Sequence, residues 1–347
     1  MEMAPDLAEH SAIRPRLAPS AKLACIALLY AAVAACLFPR SYLSAFGDTR
    51  LVLYYLLLPP MMLVGLAVAG MINRPKSPLS FVREKLVSRG IGAISTIAIF
   101  MVCVAAFTAY KHDLSGMVTF FADPWLAGVD AAIHFGDSWR WTRSVPVPAP
   151  IDRVLYILYS QFWIIQVAMV VLLAAWLERP DARQRYFVAL MTMAIVLGLC
   201  LRVLGSSAGP IFYDRIFAGS RFVDLMSALK DSNAGPDTLK ISDYLYASYT
   251  TNRAVVGSGI SAMPSFHVAI VTLNALFLWS LNRWVGAAAW AYAAVIMFGS
   301  VYFGWHYAVD GYVSILATLL IWRLAGHVRS AGPDARRLKA EPASPYR

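Results

Sequence analysis

Charge is scarce in this chain: 14% of its 347 residues are Asp, Glu, Lys or Arg, 59% are hydrophobic, and the mean hydropathy is +0.59. A water-soluble domain carries roughly a quarter charged residues, so the shortage excludes a soluble enzyme or soluble binding module as the bulk of the molecule. Cysteine is also scarce. Cys25, Cys36, Cys103 and Cys200 all fall in apolar runs with neither CxxC nor metal-ligand spacing, which argues against a metal site and makes them small core residues. No internal repeat is visible, and paired broken helices at mid-membrane depth are missing, so the inverted halves of many secondary transporters are not indicated. The net charge of +10 is not gathered on a folded soluble domain, which removes nucleic acid as an implied partner and leaves topology and attraction to anionic lipid headgroups as its meaning.

What the chain has in abundance is apolar runs long enough to cross a bilayer. They lie near 23–39, 51–72, 90–110, 151–177, 186–204, 263–281, 285–303 and 309–326, which predicts an all-α, polytopic membrane bundle of about eight helices. The first run is preceded by Asp6 and Glu9 and followed by no convincing cleavage site, so it is read as an anchor. Five basic residues in 74–89, three in 178–185 and more beyond Arg329 place those segments in the cytoplasm by the positive-inside rule. The long connections 111–150 and 203–262 then face outward. The expected organisation is a cytoplasmic segment 1–22, two additional helices within 23–89, a six-helix core over 90–328 with those two outer loops, and a disordered cytoplasmic tail 329–347.

Chemistry concentrates where two spans meet the outer surface. In "SAMPSFHVA" (261–269), Pro264 suits the first position of a helix, which puts His267 in its first turn. The N–H groups of Ser265, Phe266 and His267 are then helix-start donors, a ready anion site at the positive end of the helix dipole. In "VYFGWHYAVDGY" (301–312), His306 and Asp310 stand at i, i+4 on one helical face. An Asp accepting from one ring nitrogen fixes the tautomer and leaves the other nitrogen free as a nucleophile. Counting spans brings both histidines to the outer face, together with Arg202 and the small residues of "GSSAGPIFY" (205–213), where a guanidinium suits a phosphate.

These stretches resemble the three signature blocks of the type 2 phosphatidic acid phosphatase (PAP2) superfamily: K-x6-R-P, P-S-G-H and S-R-x5-H-x3-D. Here the first is similar to Arg202, six residues, Gly209 and Pro210. The second is similar to Pro264, Ser265, Phe266 and His267, and the third keeps His306 and Asp310. Gly209 stands where the family has an arginine, Phe266 where it has a glycine, and Gly299 and Ser300 where it has Ser-Arg. With "AMPSFH" and the "DPWLAGVD" stretch (123–130), the pattern resembles the branch that includes inositol phosphorylceramide synthases. In that stretch Asp123 is expected to cap a short helix with Pro124 at its first position, Trp125, Trp139 and Trp141 to sit in an interfacial belt, and Asp130 to be a candidate headgroup contact.

The resemblance implies a membrane lipid phosphatase or phosphotransferase in the plasma or inner membrane, acting at the extracytoplasmic face. His306 would attack phosphorus, His267 protonate the leaving oxygen and Asp310 orient His306. Arg202, Ser265 and the helix-start amides, with Gly209 and Pro210 in the first block, would bind the phosphate. Lipid phosphate or phospholipid is the implied substrate, water or a polyol or other alcohol the acceptor, and no metal or organic cofactor is implied. A proton-relay transporter and a non-catalytic scaffold remain as alternatives, and the core residues do not separate hydrolysis from transfer.

Overall fold

Every regular element among the described residues of the computed structural model, which are 21–47, 60–61, 63–72, 74–251 and 258–328, is a helix. In chain order they are α1 (Ala21–Leu37), α2 (Pro39–Gly47), α3 (Leu63–Ile72), α4 (Pro78–Met117), α5 (Asp123–His134), α6 (Ser138–Ser144), α7 (Ala149–Trp176) and α8 (Pro180–Leu204). The rest are α9 (Pro210–Phe217), α10 (Val223–Lys230), α11 (Gly235–Thr251), α12 (Phe266–Leu281), α13 (Arg283–Tyr302) and α14 (Ala308–Ala325). The protein is a multi-pass membrane bundle, with lipid-type side chains such as Leu29, Ile91, Leu173 and Leu316 on its outside.

Among the described residues five helices, α4, α7, α8, α13 and α14, are long and apolar enough to cross a membrane, and α1 with α2 makes a sixth if that bent pair is one span. Three of the eight expected runs have other forms. The first run ends at Leu37 and turns by 115° at Pro39, a residue that cannot continue the ladder of helix hydrogen bonds. The second lies partly outside the described residues, and α3 is its remainder. The sixth, α12, has only 16 residues, about 24 Å at 1.5 Å per residue. It is enclosed by its neighbours, with Val268 to Ala275 all buried, and a helix shielded from lipid need not match the hydrocarbon thickness.

Nor does the basic segment 74–89 form a loop. From Pro78 it is the first part of the 40-residue α4, because nothing between Pro78 and Met117 breaks the helix. Its charges pair Arg74 with Glu84 and Lys85 with Glu178. At the other end, both expected outer loops are largely helical. Helices α5, α6 and α9–α11 form a cap fastened by Arg–Asp pairs (Arg140–Asp224, Arg153–Asp237, Arg215–Asp243, Arg221–Asp137). Arg143 also lies over the Tyr302 ring at 3.8 Å.

Small residues hold the spans together, as close packing in lipid requires. Ala27, Ala31 and Ala34 of α1 are buried in the same cluster as Ala106 of α4, where the Tyr110 hydroxyl donates to the Tyr30 carbonyl at 3.1 Å. Gly286 lets α13 turn back tightly on α12, since a Cβ there would lie 2.3 Å from Trp279 Cα. Asn282 starts the returning helix by accepting from the Trp284 and Val285 N–H groups. The cysteines are free. Cys25, Cys36 and Cys200 are exposed on the outside of the helices rather than in the core expected for them, and Cys103 is partly buried.

Candidate active site

Because successive spans reverse direction, the ends at Met117, Leu204, Phe266, Tyr302 and Ala308 come together on one side, beneath the cap. Four connecting loops meet there, and their backbones are stitched to one another. Ala122 N–H donates to the Ser206 carbonyl, Ala262 N–H to the Ser207 carbonyl and Ile211 N–H to the Gly304 carbonyl. Met263 N–H donates to Ser207 Oγ. Gly209 has φ +90°, and a Cβ on it would lie 2.4 Å from the Trp305 carbonyl oxygen, so only glycine fits. Pro210 begins α9, buried beside it.

Asp123 is the common tie. It opens α5 but makes no capping bond there; instead Oδ2 accepts from Ala208 N–H at 2.7 Å, and Oδ1 from Gly209 N–H at 2.9 Å and from the Tyr307 hydroxyl at 2.9 Å. The capping role expected for it is thus replaced by a bridge from the first-block loop to the start of α14. Burial pushes its carboxyl up to about 6, against the pull of the N–H and hydroxyl donors. Burial, with Asp123 alongside, raises the Tyr307 phenol well above its usual value and keeps it a donor.

The two histidine rings face each other across 6.4 Å between centroids. The His306 ring is fixed through Nδ1, which lies 2.8 Å from the Ala262 carbonyl oxygen and 3.5 Å from Asp310 Oδ2. A carbonyl can only accept, so Nδ1 carries the proton and Nε2 keeps its lone pair. Asp310 is fully buried, and its Oδ2 also accepts from Tyr307 N–H at 3.0 Å. The main orienter of His306 by distance is therefore a backbone carbonyl, with Asp310 second. His267 lies in the first turn of α12, which begins at Phe266 rather than at Pro264, with Ser265 as N-cap. Its ring is stacked on Tyr159 (5.0 Å, 9°) and packed against Trp163 (4.3 Å), and no group among the described residues hydrogen-bonds its ring nitrogens.

On the segments that adjoin the histidines are polar atoms with nothing to bind. Arg202 Nε and Nη1 and Ser265 Oγ are buried and without hydrogen-bond partners. An unpaired buried donor costs about 1–3 kcal/mol, more when charged. Arg202 lies 5.6 Å from the Phe107 ring, and Phe107 packs on Phe266 at 4.4 Å, so one aromatic links the guanidinium to the residue between Ser265 and His267. Ser300, at the position of the family's third-block arginine, is fully buried and donates to the Met297 carbonyl, and Gly209 has no room for a side chain.

Asp130 is not open to a headgroup. It is 2% exposed, and its oxygens accept from Ser138 N–H and Val309 N–H, which ties α5, α6 and α14 together. Trp125 and Trp141 are exposed as an interfacial belt requires, but Trp139 is buried. Sequence reasoning missed Tyr159, Trp163 and the Ala262 carbonyl. Tyr159 sits in a π-helical segment of α7 (Leu158–Phe162), and a second such segment (Val196–Leu201) delivers Arg202. Such segments gather at functional sites and have no sequence signature of their own. Among the described residues no group of three or more His, Cys, Asp or Glu is placed to hold a metal ion.

A family model described as the PAP2 superfamily matches residues 124–324, more than half of the chain. No curated protein and no solved structure matches.

Proposed function

Because the chain belongs to the PAP2 superfamily, whose members act on phosphate esters, we propose that it transfers the phosphoryl group of a membrane lipid phosphate or phosphodiester through a phosphohistidine on His306. The supporting observation is the pair of histidine rings 6.4 Å apart, with unpaired Arg202 Nε and Nη1 and the unpaired Ser265 hydroxyl on adjoining segments, a set of groups that a bound phosphate would satisfy. In the first step His306 Nε2 forms the P–N bond, the P–O bond to the leaving group breaks, and His267 gives that oxygen a proton. In the second, His267 takes a proton from water or an alcohol as its oxygen attacks phosphorus and the P–N bond breaks. Nδ1–H of His306, held by the Ala262 carbonyl and Asp310, bears the positive charge that develops on the ring.

The acceptor we favour is a polyol, as in inositol phosphorylceramide synthases, on the resemblance of "AMPSFH" and "DPWLAGVD" to that branch. Simple hydrolysis is the second reading. The reaction is assigned to the extracytoplasmic face because the histidines lie at the end of the bundle opposite the basic segments 74–89 and 178–185.

Purified protein given radiolabelled lipid phosphates and phospholipids, with and without inositol, tests all of this. Labelled polyol phosphate or a new labelled lipid identifies a transferase, and free phosphate alone identifies a phosphatase. An acid-labile phosphoprotein must be trapped from the native chain and be missing in His306→Ala. A folded His306→Ala protein with near-normal turnover would sink the mechanism. Labelling of cysteines placed in 74–89 by an impermeant reagent outside intact cells would reverse the face.

A further inference from the structure

We infer that Lys111, on the last turns of α4, is the second cation of the phosphate site and takes the place of the family arginines missing at Gly209 and Ser300. The inference deepens the phosphoryl-transfer reading and rests on it. Lys111 precedes the segment matched by the family model, and none of the three signature blocks contains it.

Helix periodicity provides the first argument. Lys111 is one turn beyond Phe107 on the same face of α4, because residues at i and i+4 are neighbours. Phe107 is the ring that Arg202 lies over and that packs on Phe266. One turn outward from it is the end of the bundle where Ser265 and His267 stand. The second argument is contact with the second-block loop. A Cβ on Gly259, φ +88°, would lie 2.2 Å from the Lys111 carbonyl oxygen, and Ser115 Oγ, one turn on, donates to the Ile260 carbonyl. Two residues later that loop presents the carbonyl that holds His306. This end of α4 is therefore a wall of the active site.

The third argument is charge. Lys111 lies within Coulombic range of both Arg202 and His267. Positive groups within range of one another make this end of the bundle electropositive, which favours an anion there. Two fixed positive charges match a phosphoryl group carrying two negative ones, which is a phosphate monoester, or the five-coordinate species formed when His306 attacks a diester. Neither position where the family has a clamping arginine can supply the charge here, since Gly209 is closed by the Trp305 carbonyl and Ser300 is turned into its own helix.

Binding of inorganic phosphate and of orthovanadate to the full-length purified protein, followed by calorimetry, tests this without requiring turnover. The native chain should bind both. Lys111→Ala should weaken binding about tenfold or more, the usual weight of a charge-assisted contact, while Lys111→Arg should restore most of it. Lys111→Ala binding as tight as the native chain, or no binding by the native chain at millimolar anion, would overturn the assignment. Loss in Lys111→Ala that Lys111→Arg fails to restore, with both variants folded, would also overturn it. Phosphate binding that depends on Lys111 in a protein that never forms a phosphohistidine would instead refute the covalent mechanism and leave the cation site standing.

Discussion

Substituting Asp310 by Asn is the most discriminating perturbation of the nucleophile. In the serine protease triad the corresponding change costs about ten-thousandfold, because the amide turns the histidine into the wrong tautomer. Two features here oppose that outcome. The Ala262 carbonyl, 2.8 Å from Nδ1, continues to demand a proton there. Tyr307 N–H, 3.0 Å from Asp310 Oδ2, demands an acceptor at the same carboxylate oxygen that faces the ring. An asparagine at 310 would therefore keep its carbonyl oxygen toward Nδ1 and place its NH2 where Oδ1 now lies buried without a partner. The tautomer survives, and what is lost is the negative charge that stabilises the ring as it becomes cationic. A hydrogen bond to a charged group is worth about 1.5–3 kcal/mol, which is about ten- to a hundredfold in rate. The assay is kcat/KM on a short-chain lipid phosphate for native and Asp310→Asn proteins, with a thermal melt to show that both fold. A loss near ten-thousandfold in a folded variant would refute the role given to the Ala262 carbonyl.

His267→Ala removes the proton donor and not the nucleophile, so turnover should survive better on an aryl phosphate, whose leaving group departs as an anion, than on an alkyl one; equal losses on both would contradict the assignment. Gly209→Arg restores the family residue but forces a side chain against the Trp305 carbonyl at φ +90°, and should cost about 2 kcal/mol or more in a denaturation measurement without raising activity. A more active variant of native stability would refute that steric account. Burial raises the Asp123 carboxyl from its ordinary value to about 6, so folding favours its protonated form. Its contribution is fully present below the unfolded value and is lost as pH rises through about 6, a fall of order 3 kcal/mol that Asp123→Asn should remove from the pH dependence of thermal stability. An unchanged slope in the variant would assign the effect elsewhere.

The parts of the site that the sequence made legible are those with local spacing. His306 and Asp310 are one helical turn apart, and Pro264–Ser265 announces the start of the helix that bears His267. Sequence makes Asp123 a cap because its three partners lie 85, 86 and 184 residues away, and a carboxylate just ahead of an apolar helix has a plausible local use. It leaves Asp130 open to a headgroup for the same reason, since the Val309 N–H that occupies it is distant in the chain. Hydropathy marks α12 as apolar but cannot tell a lipid-facing helix from one enclosed by its neighbours, as α12 is. The outer helices α9–α11 went unseen because they are short and amphipathic, and the apolar side chains they bury, such as Ile211, Phe212, Leu225 and Leu229, find their partners far away in the chain.

The π-helical segment at Leu158–Phe162 has a consequence for how the chain tolerates insertions and deletions. Such a segment is an α-helix with one residue too many, and each residue of an α-helix turns the chain by about 100°. Deleting Ser160 would let α7 run as an uninterrupted α-helix. The membrane half could then keep its packing while the outer half rotated, carrying Tyr159 off the His267 ring on which it now lies flat at 5.0 Å. The bundle would accept a shortening that the reaction centre would not. The surplus residue in α7 and its counterpart ahead of Arg202 in α8 each set the angle at which a site residue leaves an otherwise ordinary membrane helix.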